Sequence, residues 1–106
     1  MFLAFGDREI RQICLDKNIA IERYGILVGE ALQNRLADLR AATSLNDLIV
    51  GEPAVIFDST FKVNLSSGYR LVFFANNRRV TYNSEEDIDW LYVSRIKILR
   101  IEPYDQ

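Results

Sequence analysis

The stretch from Phe61 to Phe74 limits the fold more than any other part of the chain. Phe61-Lys62-Val63-Asn64-Leu65 and Tyr69-Arg70-Leu71-Val72-Phe73-Phe74 flank the tripeptide Ser66-Ser67-Gly68. Two strand-like runs around a short glycine-containing connection predict a β-hairpin. In a three-residue turn, with Gly68 in the left-handed conformation of a G1 bulge, Leu65 faces Tyr69, Val63 faces Leu71 and Phe61 faces Phe73. That face is wholly apolar and has to be buried. The other face carries Lys62, Asn64, Arg70 and Val72. Two cations and an amide on one patch of a rigid sheet suit the binding of a phosphate. A final strand from Ile96 ends at Tyr104.

The remaining elements precede this hairpin. Phe2 to Phe5 reads as a short first strand. Asp7 is placed to cap a helix over Arg8 to Asp16, with Ile10, Ile13 and Cys14 on its inner side. Asn18 begins the next connection. From Ile21 to Ala42, apolar Ile21, Tyr24, Val28, Leu32, Leu36 and Leu39 recur at steps of three and four, which predicts one long amphipathic helix. Gly25 and Gly29 weaken it by ~1 kcal/mol each relative to alanine and permit a close approach by another helix. Thr43 or Ser44 caps a short helical turn over Leu45 to Ile49, which Gly51 and Pro53 end. Ala54 to Phe57 is a strand, and Ala75 to Asp89 a solvated excursion between the last two strands. Helices first and strands afterwards predict a single α+β domain over residues 1–106. A helical hairpin would lie on one face of an antiparallel sheet of four or five strands.

Composition excludes several chemistries. One cysteine and no histidine leave no zinc site of the usual kind and no base to activate Cys14, which reads as a small buried hydrophobe. No apolar run approaches the ~20 residues of a membrane span, and Met1 to Phe5 is too short for a signal peptide, so a cytoplasmic location without membrane contact is expected. The net charge of −2 opposes general nucleic-acid binding, so any such role has to rest on a local patch.

Order and spacing carry a resemblance. Leu36-Ala37-Asp38-Leu39-Arg40-Ala41-Ala42, Ser44-Leu45, Asp47-Leu48, Gly51 and Pro53 follow one another as in a known family. So do Gly68-Tyr69-Arg70-Leu71-Val72-Phe73, Ile88-Asp89-Trp90, and the ending Ile98, Ile101, Tyr104. From about Ile21 onward the chain resembles HigB-type killer proteins of the plasmid-maintenance branch of the RelE/ParE toxin superfamily. The resemblance implies a helical hairpin on a curved antiparallel sheet and ribosome-dependent cleavage of messenger RNA. It also implies neutralisation by a cognate antitoxin, often a helix-turn-helix protein, with no metal or cofactor. In such enzymes the 2′-hydroxyl is positioned against the adjacent phosphate, a proton is removed, and the phosphorane charge is stabilised.

Carried over by position, Arg70 falls on the family's strand arginine and would stabilise that charge. Tyr104 falls on its C-terminal tyrosine, a candidate for base stacking or proton transfer. Asp105 stands where the family has histidine and reads as a base or as a solvated tail residue. Lys62 and Asn64 are nominated as substrate-binding residues from the hairpin alone. Ala54 to Asp58 replaces the family's basic segment. Each site residue has a structural alternative: Arg70 as an ion-pair partner, Tyr104 as a packed sheet residue, Lys62 as a solvent-facing one. Two other functions are open, a catalytically degenerate or ParE-like member that binds antitoxin or gyrase, and a small interaction domain without enzymatic activity.

Overall fold

A computed structural model describes residues 1–57, 60–85 and 87–104. Three helices precede most of the sheet in sequence: α1 (Arg8–Leu15), α2 (Lys17–Tyr24) and α3 (Ile26–Ala41). The strands are β1 (Phe2–Phe5), β2 (Ala54–Phe57), β3 (Thr60–Asn64), β4 (Tyr69–Ala75) and β5 (Arg95–Pro103), in the spatial order β1-β5-β4-β3-β2. The expected α+β class holds, with two corrections. The sheet is mixed rather than antiparallel, because β1 runs parallel to β5, with Leu3 beside Ile96 and Phe5 beside Ile98. The helical layer has three helices rather than a hairpin of two.

The second correction comes from Gly25. The expected single helix from Ile21 to Ala42 breaks there, at φ +90°, where the Gly25 N–H closes α2 onto Ile21 O at 2.8 Å. Only glycine adopts that conformation freely. The chain then turns back and α3 packs along α2. Gly29 permits the contact: a Cβ there would lie 2.6 Å from Ile21 Cγ1. Upstream, Asp7 caps α1 as expected, its carboxylate accepting from the Ile10 N–H at 2.8 Å. Asp16 ends α1 and accepts from the Asn18 N–H at 3.0 Å, so Asn18 lies in the first turn of α2 rather than in a connection. The short turn after α3 is a 3-10 turn, Leu45–Asp47, capped by Ser44.

The hairpin has the expected register: Phe61 opposite Phe73, Val63 opposite Leu71, Asn64 opposite Arg70. The turn differs at one residue, since Ser67 (φ 56°) is left-handed as well as Gly68 (φ 77°). Two positive φ values match the primed turns, whose twist suits a hairpin. The apolar face of the hairpin is the core. Leu71, Val63, Phe73, Ile96 and Ile98 are buried against Leu32, Leu36 and Leu39 of α3 and Ile13 and Cys14 of α1. Trp90 closes one end, its ring 4.8 Å from Phe61. Residues 76–85 and 87–94 lie outside the five strands, pinned by a Tyr82–Ile88 bridge and a 3-10 turn, Trp90–Tyr92.

Cys14 is 1% exposed, and burial pushes its thiol up from 9.0 to about 12 against the opposing charge of Arg40. A raised pKa means that the neutral thiol stabilises the fold fully below pH 9, and that this contribution is lost as the pH rises toward 12. Urea unfolding at about pH 8 and about pH 11 should therefore show a steeper loss of stability for the native protein than for Cys14→Ala. Parallel losses would show that the thiol does not couple to folding.

Candidate functional site

The face of the sheet away from the helices is built by strand alternation. On β3 it presents Lys62 and Asn64, and on β4 Arg70, Val72 and Phe74. On β5, alternation from Ile96 and Ile98, which point into the core, puts Arg95 and Lys97 on this outer face. A β-bulge then shifts the phase, because Val72 pairs with Arg100 while Phe73 pairs with Ile98, leaving Leu99 as the extra residue. Ile101 returns to the core, so Arg100 and Glu102 join Arg95 and Lys97 on the outer face. From β1 comes Phe2, 67% exposed. Among the described strand residues this face carries five cations, Lys62, Arg70, Arg95, Lys97 and Arg100, against one carboxylate, Glu102.

Arg70 is paired with its cross-strand neighbour Glu102, Nη2 to Oε2 at 3.3 Å, and Arg100 Nε meets the other oxygen of Glu102 at 2.5 Å. Glu102 thus holds two guanidiniums side by side. Burial alone would raise its pKa, but the Arg100 hydrogen bond and the charges of Arg100 and Arg70 outweigh that and hold it below the usual 4.5. Arg70 Nε is buried and has no hydrogen-bond partner among the described residues. This guanidinium N–H beside an ion pair is a donor whose hydrogen-bonding capacity no described residue meets. Because the Glu102 pKa is lowered, its stabilisation is present above pH 4.5 and is lost as the pH falls below that value. Glu102→Gln should cost ~0.5–1 kcal/mol near neutral pH, discounted for the partly exposed setting. The two proteins should converge in stability under acid, and a gap that persists unchanged at low pH would assign the effect to packing instead.

Lys62 and Asn64 also lie on this face, but tied to each other. Lys62 Nζ donates to Asn64 Oδ1 at 3.1 Å, and Asn64 Nδ2 donates to Glu52 Oε2 at 2.9 Å. Asn64 is 8% exposed, and its backbone N–H is taken by Gly51 O at 2.6 Å. In the structure it organises the edge of the face through these bonds. Val72 is fully buried although it lies on the outer face, between Lys62 and Arg100 on the neighbouring strands. Tyr104 is half-buried, and its N–H donates to Gly68 O at 2.9 Å, which extends the β5–β4 ladder by one residue next to the Arg70–Glu102 pair. Asp105 lies outside the described residues.

The fold therefore brings Lys62 and Arg70 to one surface, sets the Tyr104 backbone at the end of the same ladder, and adds Arg95, Lys97, Arg100 and Glu102, which reasoning from the hairpin alone missed. The alternation Arg95-Ile96-Lys97-Ile98 was a signal for the first two. Aromatic rings lie among these cations. The Arg95 guanidinium carbon is 4.8 Å from the centre of the Phe2 ring, and Lys97 Nζ is 5.9 Å from that of Phe74. No group of three histidine, cysteine, aspartate or glutamate side chains that could hold a metal ion occurs among the described residues, nor any helix long and apolar enough to cross a membrane. Compared with known family models, with curated proteins and with solved structures, the chain matches none.

Proposed function

We propose that this chain is the toxin of a toxin–antitoxin pair, similar to HigB and the RelE/ParE toxins, and that the outer face of its sheet meets messenger RNA on the ribosome. One observation carries the proposal: a protein of net charge −2 gathers five cations and two aromatic rings on a single sheet face. Cations interleaved with aromatics suit single-stranded RNA, whose backbone is anionic and whose bases stack. The connections between elements carry most of the acidic residues, so the charge is segregated rather than scarce.

In this proposal Arg70 stabilises the phosphorane that forms when the 2′-hydroxyl attacks the adjacent phosphate. Its anchoring by Glu102 holds the guanidinium in place before substrate arrives. As the 2′-oxygen bonds to phosphorus the P–O5′ bond breaks; the 2′-hydroxyl proton passes to water, and Tyr104, two positions along the ladder, gives its proton to the departing 5′ oxygen. Lys62 adds charge at the margin. Localisation in the cytoplasm and neutralisation by a small helix-turn-helix antitoxin belong to the same proposal. A member that binds antitoxin or gyrase without cutting RNA is the second reading. It is favoured by the Glu102 carboxylate, which offsets part of the charge of Arg70 and Arg100.

The test is induction in cells. Growth arrest with cleavage of translated transcripts supports the first reading. Arrest without transcript cleavage supports the second, and no arrest at all removes both toxin readings. Co-expression with the adjacent open reading frame should relieve arrest and yield a purified complex.

A further inference from the structure

We propose that the cleft between the Asn76–Arg78 segment and Arg95 binds a backbone phosphate of single-stranded RNA, with an adjoining base stacked on Phe2. This rests on the RNA-facing role given to the sheet and extends it to a second position, at the far end of β5 from Arg70.

The cleft, lined by Asn76, Asn77, Arg78 and Arg95, has a volume of ≈ 610 Å³, within the range of sites that hold a nucleotide-sized ligand. Its frame is fixed by one side chain. Asn77 Oδ1 accepts from the Ser94 and Arg95 N–H groups at 3.1 and 2.9 Å, and Asn77 Nδ2 donates to Tyr92 O at 3.0 Å. The Asn76 N–H adds a bond to Arg95 O at 2.7 Å. Asn77 is thus consumed in holding the two walls together, and the arginines are left to meet a ligand. Neither Arg78 nor Arg95 forms an ion pair with a described residue, in contrast to Arg70 and Arg100. Arg95 is oriented instead by the ring of Phe2, a contact that leaves the guanidinium N–H edges available to phosphate oxygens. Phe2 is 67% exposed and Tyr92 is 59% exposed, so flat apolar surface borders the two charges. Lys97 continues the same face toward Arg100, and the five residue steps from Arg95 to Arg100 span ~17 Å, room for a few nucleotides between the two ends.

The test is fluorescence anisotropy with a short labelled single-stranded oligoribonucleotide and the full chain at low salt, over a series of salt concentrations. The double variant Arg78→Ala with Arg95→Ala should weaken binding at least ~10-fold. It should also reduce the slope of log affinity against log salt by ~0.7, the value for one lost phosphate contact on a single strand. Phe2→Ala should weaken binding by about fivefold or more with little change in slope. These side chains are exposed, and circular dichroism checks that each variant folds. Unchanged affinity and slope in the double variant, while Lys97→Ala still weakens binding, would overturn this cleft and leave the RNA-facing sheet standing. No binding to the native chain would overturn the cleft, while the ribosome-dependent reading stands or falls separately on induction in cells. Equal affinity for a polyglutamate peptide of the same length would overturn the assignment of the cleft to RNA.

Discussion

Leu71→Ala should lower the unfolding free energy by ~2–5 kcal/mol, the cost of a cavity at a site that cannot collapse around it. Leu71 is fully buried, pairs with Val63 on one side and Ile101 on the other, and lies where the sheet meets the helices. For a domain of this size a loss of that order is a large share of total stability. The neighbouring residue makes the control. Arg70 sits one position along the same strand on the opposite face, and its pair with Glu102 has both side chains about a quarter exposed. Removing it should cost ~1 kcal/mol or less, as for other solvent-screened ion pairs. Urea denaturation of the two variants separates these outcomes. Equal losses would mean that Arg70 holds the fold together and is not kept for a ligand.

The second large effect concerns activity. Arg70→Ala should reduce cleavage of ribosome-bound messenger RNA by ~10²–10³, the usual consequence of removing one preorganised electrostatic donor. Antitoxin binding and folding should survive. Tyr104→Phe should weaken cleavage less, because the ring remains and only the hydroxyl is lost. Glu102→Gln gives a contrasting signature: with the competing carboxylate neutralised, RNA should bind more tightly, while the looser Arg70 guanidinium should lower the chemical rate. A variant that binds better and cuts worse identifies Glu102 as a positioning residue. Full cleavage by folded Arg70→Ala would remove that residue from the mechanism.

Which of these residues could be found from the chain alone depended on the range of the signal. The hairpin was legible because it is local: alternation on both strands and one glycine define which side chains face each other, and Asn64 opposite Arg70 followed directly. The helical break at Gly25 was not. Ile21, Tyr24 and Val28 keep a helical spacing across it, so periodicity continues while the backbone reverses. The parallel pairing of Phe2–Phe5 with Arg95–Ile98 joins segments about ninety residues apart, and a four-residue strand carries no mark of its partner.

The site was half legible for a related reason. Arg70 and Lys62 lie on the hairpin. Arg95, Lys97, Arg100 and Glu102 share one face only because the bulge at Leu99 shifts the phase of β5, and strict alternation would have sent Arg100 and Glu102 into the core. The burial of Val72 and Asn64 on a polar face likewise depends on neighbours from three strands and on the approach of Gly51. Net charge misled in the same way, since it averages a basic sheet with acidic connecting segments.

The most direct measurement is cleavage by the purified chain of a defined messenger RNA, presented either naked or on programmed ribosomes, with the products mapped by primer extension. The account predicts cuts only in the ribosome-bound message, without an added metal cofactor for the chain itself, and their loss in Arg70→Ala. Metal-dependent cleavage of the naked RNA, or an uncut message on ribosomes treated with folded protein, would contradict it.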